Sequence, residues 1–381
     1  MRIFLIAGEP SGDRLGAALM SGLRALHPQV QFDGVGGPLM QAQGLTSRFD
    51  MNELSVMGIA EVLPKYRHLK RRIAQTAQAV IDTAPDVCIG IDSPDFCLRV
   101  AKCVKQGSTI RTVHYVAPTV WAWRPGRARK MAQMIDHVLA LFPFEPPYMQ
   151  AEGMACDFVG HPVVSDPVPS EADEALFRQT SGIGTAPAVL VLPGSRRSEV
   201  QRLSAVFGAA LHQFCAARPE WRVVIPAAGA VADLVRAETA DWPGAPVVVD
   251  GTSADGAAIK RGAFRAADVA LAASGTVSLE LAAAQTPMVI AYKFNWLSWQ
   301  IMSRMALIDT VTLVNLVSET RVVPECLGPD CTPDQISAAL AAVLDAPTAQ
   351  RDAMQVTLAR LGQGDEAPGL RAARAVLARL A

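Results

Sequence analysis

Asp92 closes the apolar run Val87-Cys-Ile-Gly-Ile91, inside the segment Ile-Asp-Ser-Pro-Asp-Phe96. Ligands of open parallel sheets bind beyond the carboxyl ends of the strands, so a carboxylate there is placed to act as a general base. Asp95 is close enough to be a rival. Position alone equally allows an aspartate that caps the turn before Pro94.

Glycine turns suggest where an anion would sit. Ala188-Val-Leu-Val-Leu-Pro-Gly-Ser-Arg-Arg-Ser-Glu-Val200 reads as strand, tight turn and helix. Its first helical turn would aim free backbone N–H groups, with Arg196 and Arg197, at an anion. Gly194, Ser195 and Arg196 are the contacts expected there. A second turn, Ala273-Ser-Gly-Thr-Val-Ser-Leu-Glu-Leu281, offers Ser274, Gly275 and Thr276. About one helical turn further on, Glu280 could accept hydrogen bonds from ribose hydroxyls, or simply be an exposed helix glutamate. One such turn is weak evidence; two in one domain favour a nucleotide diphosphate. The chain also opens with a turn, Gly8-Glu-Pro-Ser-Gly-Asp13, which fits neither GxGxxG nor GxxxxGK[ST]. That disfavours a dinucleotide site and a P-loop. Glu9 and Ser11 read as substrate contacts, or Ser11 or Asp13 as a helix cap.

Two stretches suggest lipid. Val56, Met57, Ile59, Val62 and Leu63 form an apolar run followed by Lys65, Arg67, Lys70, Arg71 and Arg72. An apolar wedge with a basic flank is attracted to anionic membranes, although a core helix with a charged end has the same pattern. Phe294, Trp296, Trp299, Ile301 and Met302 form a second apolar cluster, either core or dimer interface. Arg124, Arg127, Arg129 and Lys130 follow Trp121-Ala-Trp123 and could hold a phosphate. The six histidines have no ligand spacing and read as structural.

These residues need a scaffold, and the 381-residue chain is long enough for two cored domains. Half its residues are hydrophobic and 19% charged, which makes it globular. A net charge of −1 gives no reason to expect nucleic acid. The seven cysteines form no CxxC and make a poor disulfide framework, with Cys88 expected as a buried thiol in a cytosolic protein. No signal peptide or transmembrane span is expected.

Strands are expected at Arg2–Ala7, Gln31–Val35, Val87–Ile91, Thr109–Val116, His137–Phe142 and Asp157–Val159. A second set is expected at 189–192, Arg222–Ile225, Val247–Val249, Val269–Leu271 and Met288–Tyr292. Helical segments between them imply parallel sheets covered on both faces. The proline-rich stretch Gly160–Ser170 marks a linker. The fold class is therefore α/β, with two Rossmann-like domains facing a cleft. The domains are 1–164, which carries the membrane-facing apolar and basic segment, and 165–361. An amphipathic helix in 362–381 would pack back on the N-terminal domain or on a partner chain.

Together these segments resemble the lipid-A-disaccharide synthase family. The likeness rests on Ala7-Gly-Glu-Pro-Ser-Gly-Asp13, Val56-Met-Gly-Ile59, Gly90-Ile-Asp-Ser-Pro-Asp-Phe96 and His114-Tyr-Val-Ala-Pro-Thr-Val-Trp-Ala-Trp123. It continues through Phe158-Val-Gly-His-Pro162, Leu192-Pro-Gly-Ser-Arg196 and Ala273-Ser-Gly-Thr276, with Glu280. Pro10 stands where the family usually has Ala, which stiffens the first turn. The resemblance implies a GT-B fold and an inverting transfer of 2,3-diacylglucosamine from its UDP conjugate to 2,3-diacylglucosamine 1-phosphate. The products would be a β-1,6-linked disaccharide and UDP. It also implies UDP held by the C-terminal domain and the acceptor mainly by the N-terminal one, peripheral attachment to the inner membrane, and a homodimer exchanging C-terminal elements, with Asn315 serving the neighbour's site. No cofactor or metal is required, since Arg196 and helix termini can meet the diphosphate.

Rival readings share parts of this pattern. A UDP-N-acetylglucosamine epimerase or the glucosaminyltransferase of peptidoglycan synthesis would have the same fold. A two-domain solute-binding protein is disfavoured by two anion-type turns in one domain. A nicotinamide dehydrogenase is disfavoured by the missing fingerprint.

Overall fold

The computed structural model describes all residues except 55–58, 228, 251–254 and 381, and leaves the side chains of 59–65, 297 and 298 undescribed. The chain divides into two compact units, one of Met1–Ser165 with Leu361–Ala381, the other of Asp166–Arg360.

The first unit holds β1 (Arg2–Ala7), β2 (Gln31–Val35), β3 (Val87–Ile91), β4 (Arg111–Tyr115), β5 (His137–Ala140) and β6 (Ala155–Phe158). All pair in parallel, in the order β2-β1-β3-β4-β5-β6. The order reverses between β1 and β3, where a doubly wound sheet leaves a crevice at its carboxyl edge. Helices α1 (Pro10–Leu26), α2 (Pro38–Ala42), α3 (Ile59–Thr83), α4 (Pro94–Gly107) and α5 (Gly126–Met131) connect the strands. On α1, Leu15, Leu19 and Leu23 are buried, as their helical spacing requires. The last helix, Pro368–Leu377, packs on α1 of its own chain.

The second unit holds β7 (Ala188–Leu192), β8 (Arg222–Ala227), β9 (Val247–Asp250), β10 (Val269–Ala272), β11 (Met288–Tyr292) and β12 (Glu325–Leu327). Their order is β12-β11-β10-β7-β8-β9, again all parallel, with the reversal between β7 and β10. The helix Arg197–Ala216 lays Val200, Leu203, Phe207, Leu211 and Phe214 on this sheet, all fully buried. At about 1.5–3 kcal/mol for each large apolar side chain, that face anchors the helix whose start carries Arg196.

Strand β12 escapes the sequence pattern, because three residues at a sheet edge are too few to show a period. The strand expected to reach Val116 stops at Tyr115, since Val116 has φ +88°, outside the extended region. The seven cysteines are all unpaired and Cys88 is buried. Among the described residues, no helix is long and apolar enough to cross a membrane.

Candidate active site

Ala7 and Ile91 are register partners at the ends of β1 and β3, so the first glycine turn and Asp92 emerge side by side. Ser11 Oγ donates to Asp92 Oδ2 at 2.8 Å. The turn also runs close to Ser93, where a Cβ on Gly8 would lie 2.6 Å from Ser93 Oγ and 3.0 Å from its Cβ. The Ser11 hydroxyl thus turns to Asp92 and does not cap α1. Asp13 does cap a helix, but a distant one. Its buried carboxylate accepts from the N–H groups of Gly37 (2.8 Å), Leu39 (2.9 Å) and Met40 (3.0 Å), at the start of α2. Glu9 sits half-buried at the start of α1. With Lys70, Asp95, Phe96 and Arg99 it lines a cavity of about 260 Å³.

Backbone strain concentrates around Asp92. Among the described residues, eight non-glycine residues have positive φ, and four of them are Asp92 (52°), Ser93 (41°), Val116 (88°) and Arg124 (52°). A β-branched residue such as Val116 enters this region only under tertiary constraint, and such strain gathers at functional sites.

Beneath Asp92 lies His114, which is 2% exposed. Burial lowers its pKa to about 4 against the opposing pull of the Asp92 charge, so the imidazole is neutral at physiological pH. His114 and Asp92 line one cavity.

Glu145 also escaped the sequence reading, since nothing in Phe-Pro-Phe-Glu145 signals a buried acid. One oxygen accepts from the N–H groups of Leu141 (3.1 Å) and Phe142 (3.0 Å), the other from Trp121 Nε1 (3.2 Å). It thus ties the loop after β4 to the loop after β5. Burial raises its pKa from 4.5 to about 7, with those three hydrogen bonds opposing. Between these values the folded protein holds a proton that the unfolded chain has released, so stability falls as pH rises from about 4.5 to about 7. We expect Glu145→Gln to remove that slope. Chemical denaturation at pH 5 and pH 8 should show the wild type losing about 3 kcal/mol more than the variant. Parallel pH profiles would refute this assignment.

In the second unit, Ala272 and Leu192 are register partners, and the Ala273 N–H donates to the Leu192 carbonyl at 2.8 Å. The turns carrying Gly194, Ser195 and Arg196 and carrying Ser274, Gly275 and Thr276 therefore leave the sheet together. The N–H groups expected to be free are already used. Glu199 Oε2 accepts from the N–H of Ser195 (3.2 Å) and Arg196 (3.4 Å), and Oε1 from Arg196 Nη1 (3.1 Å). Gly194, at φ +119°, leaves room for this carboxylate, which a Cβ there would strike. A glutamate three residues after the cap is the capping-box spacing, so the sequence did carry the signal. The Glu199 carboxylate thus satisfies this turn from within the chain.

Glu280 is half-exposed and pairs with Lys260 Nζ at 2.8 Å. Asn315 is 1% exposed. Its Nδ2 donates to Thr310 Oγ1 (3.2 Å) and to the Val323 carbonyl (2.9 Å), and its Oδ1 accepts from the Val323 N–H (3.0 Å).

Of the expected lipid-facing residues, Val56 and Met57 lie outside the described residues. Ile59, Val62, Leu63 and Lys65 belong to α3, but their side chains are outside the description. Arg67 and Lys70 are exposed. Arg72 is turned to protein, bonding Glu53 at 2.7 and 2.8 Å and covering the Phe49 ring at 4.3 Å. The aromatic cluster divides: Trp299 packs on Phe294, with centroids 5.6 Å apart, while Trp296 is 75% exposed and Ile301 and Met302 are exposed.

The chain matches the family model described as lipid-A-disaccharide synthetase over residues 3–373. It is 67% identical to the lipid-A-disaccharide synthase of Ruegeria pomeroyi, covering 100% of this chain and 96% of the relative. To that of Rhodospirillum centenum it is 48% identical, over 98% and 94%. Among solved structures it is similar to the UDP-GlcNAc 2-epimerase of Neisseria meningitidis bound to UDP-GlcNAc, with TM-score 0.64, 11% identity, and 100% and 99% coverage. Acinetobacter baumannii MurG aligns with TM-score 0.51 and 12% identity over 100% and 99%. At such identities the structural likeness is one of fold, and that fold is GT-B. The two sheets, the Asp92 crevice and the family match converge: this glycosyltransferase chain belongs to the lipid-A-disaccharide synthase family, whose role is synthesis of the lipid A disaccharide.

Proposed function

We propose that the chain transfers 2,3-diacylglucosamine from UDP-2,3-diacylglucosamine to 2,3-diacylglucosamine 1-phosphate with inversion, releasing UDP. The observation that carries this reading is the Ser11–Asp92 hydrogen bond at the strand-order reversal of the first sheet. Asp92 acts as general base for the acceptor 6-hydroxyl. Ser11 holds one carboxylate oxygen and leaves the other for that proton. Glu9 positions the sugar. In the second unit, the diphosphate takes the place that the Glu199 carboxylate holds, meeting the N–H groups of Ser195 and Arg196 and the Arg196 guanidinium. Charge that grows on the departing UDP is stabilised there and at the turn Ser274–Thr276. Glu280 exchanges Lys260 for the ribose, and Asn315 acts by fixing the loop from Thr310 to Val323. The scheme needs no metal.

The test is to incubate the protein with the UDP-sugar, with and without the acceptor phosphate, and to analyse products by mass. Disaccharide phosphate and UDP should form only when both are present. UDP release without acceptor would mean hydrolysis or another acceptor. Arg196→Ala should weaken UDP binding about tenfold or more, from loss of a charged hydrogen bond; unchanged affinity would put the diphosphate elsewhere.

Peripheral attachment through the start of α3 is part of the proposal, supported by exposed Arg67 and Lys70. The protein should then sediment with anionic vesicles at low salt and release at high salt, and indifference to vesicles would remove this part. A homodimer with exchanged C-terminal elements is carried by the family likeness alone. Within one chain, the last helix packs on its own α1.

A further inference from the structure

The cavity beside Asp92 has a feature that the proposed scheme leaves unused. It measures about 200 Å³ and is lined by Asp92, His114, Val116, Thr119, Arg127 and Met131 among others. His114, 2% exposed, forms part of its wall, with Nδ1 sealed against Gly90 of β3.

The rim is cationic. Arg127 is exposed and makes no ion pair with a described residue; its guanidinium lies 6.0 Å from the Trp123 ring centroid. Arg124 covers the same ring at 4.2 Å and is likewise without a described ion pair. Arg129, two residues beyond Arg127, is different, because Glu152 pairs with it at 3.3 Å. Two guanidinium groups around one indole, with no carboxylate neutralising them, suit a phosphate monoester, which binds arginine in forked, charge-assisted pairs. Arg127 and Asp92 line the same small cavity. One end of a sugar can therefore meet the carboxylate while its other end meets the guanidinium.

We infer that this cavity is the acceptor's sugar-phosphate subsite, with Arg127 pairing the 1-phosphate while Asp92 meets the other end of the sugar. The inference rests on the proposed reaction, deepens it, and gives the basic segment after Trp123 a defined ligand.

The test compares two acceptors in detergent free of phospholipid: 2,3-diacylglucosamine 1-phosphate and the same sugar without the phosphate. Arg127→Met should raise the KM for the phosphorylated acceptor about tenfold to a hundredfold. The donor KM should stay unchanged, and the variant should match the wild type on the acceptor lacking phosphate. Arg127→Lys should recover part of the loss. Arg129→Met should behave as wild type with both acceptors. Equal losses on both acceptors, or none on the phosphorylated one, would overturn the assignment. A wild-type protein that makes no disaccharide from the phosphorylated acceptor would instead remove the transferase reading, and this inference with it.

Discussion

Asp92→Asn should lower kcat about 10²–10⁴-fold, the usual contribution of a positioned general base, with little change in thermal stability. The substitution is suited to this site. Asp92 has φ +52°, a conformation that asparagine tolerates and most residues do not. The Asn carbonyl can still accept the Ser11 hydroxyl, so the 2.8 Å contact survives in kind. What is lost is the capacity to take a proton. Donor KM should be close to that of the wild type, because the proposed diphosphate contacts belong to the other unit. A folded variant with near-normal turnover would sink the assignment. Asp95 would then be the candidate, exposed in the first turn of α4 on the cavity shared with Glu9.

The second large effect is on stability. Asp13 is 3% exposed, and its carboxylate satisfies three backbone N–H groups at the start of α2. Asp13→Ala leaves those donors without their acceptor in a packed site that water enters with difficulty. Each buried unsatisfied donor costs about 1–3 kcal/mol, so we expect a loss of about 3–5 kcal/mol, near the upper end for single substitutions. For a unit of this size that corresponds to a melting shift of about 10–15 °C. Calorimetry should find the shift in the transition of the Asp92-bearing unit, with UDP affinity of the folded protein unchanged. A shift within about 2 °C would mean that α2 does not depend on this cap.

The contrast between Ser11 and Asp13 illustrates how sequence and structure divide the information. Both residues lie in the first glycine motif, and the sequence allowed either to be a cap and Ser11 also a substrate contact. The register of β1 against β3 separates them, sending Ser11 to Asp92 and Asp13 to α2. That register is a long-range property, so no local spacing carries it. Glu199 is the opposite case. Its capping-box spacing was present in the sequence, yet the first helical turn still looked like an open anion site.

The strands, the helix faces and the two glycine turns were set by local chemistry. Apolar runs of four to six residues, helical spacing and glycines at positive φ act over a few residues, and they fixed nearly all of β1 to β11 and the apolar face of Arg197–Ala216. The family motifs are equally local, which is why the sequence sufficed for the lipid-A-disaccharide synthase resemblance. Tertiary structure alone decided which charges are neutralised and which polar groups are buried. Arg129 has Glu152 while Arg127 has no described carboxylate; Arg72 is bound to Glu53; His114 is stripped of water; and Glu145 is held by two loops. Each of these depends on dielectric and on partners brought from elsewhere in the chain, quantities that exist only once the chain has packed.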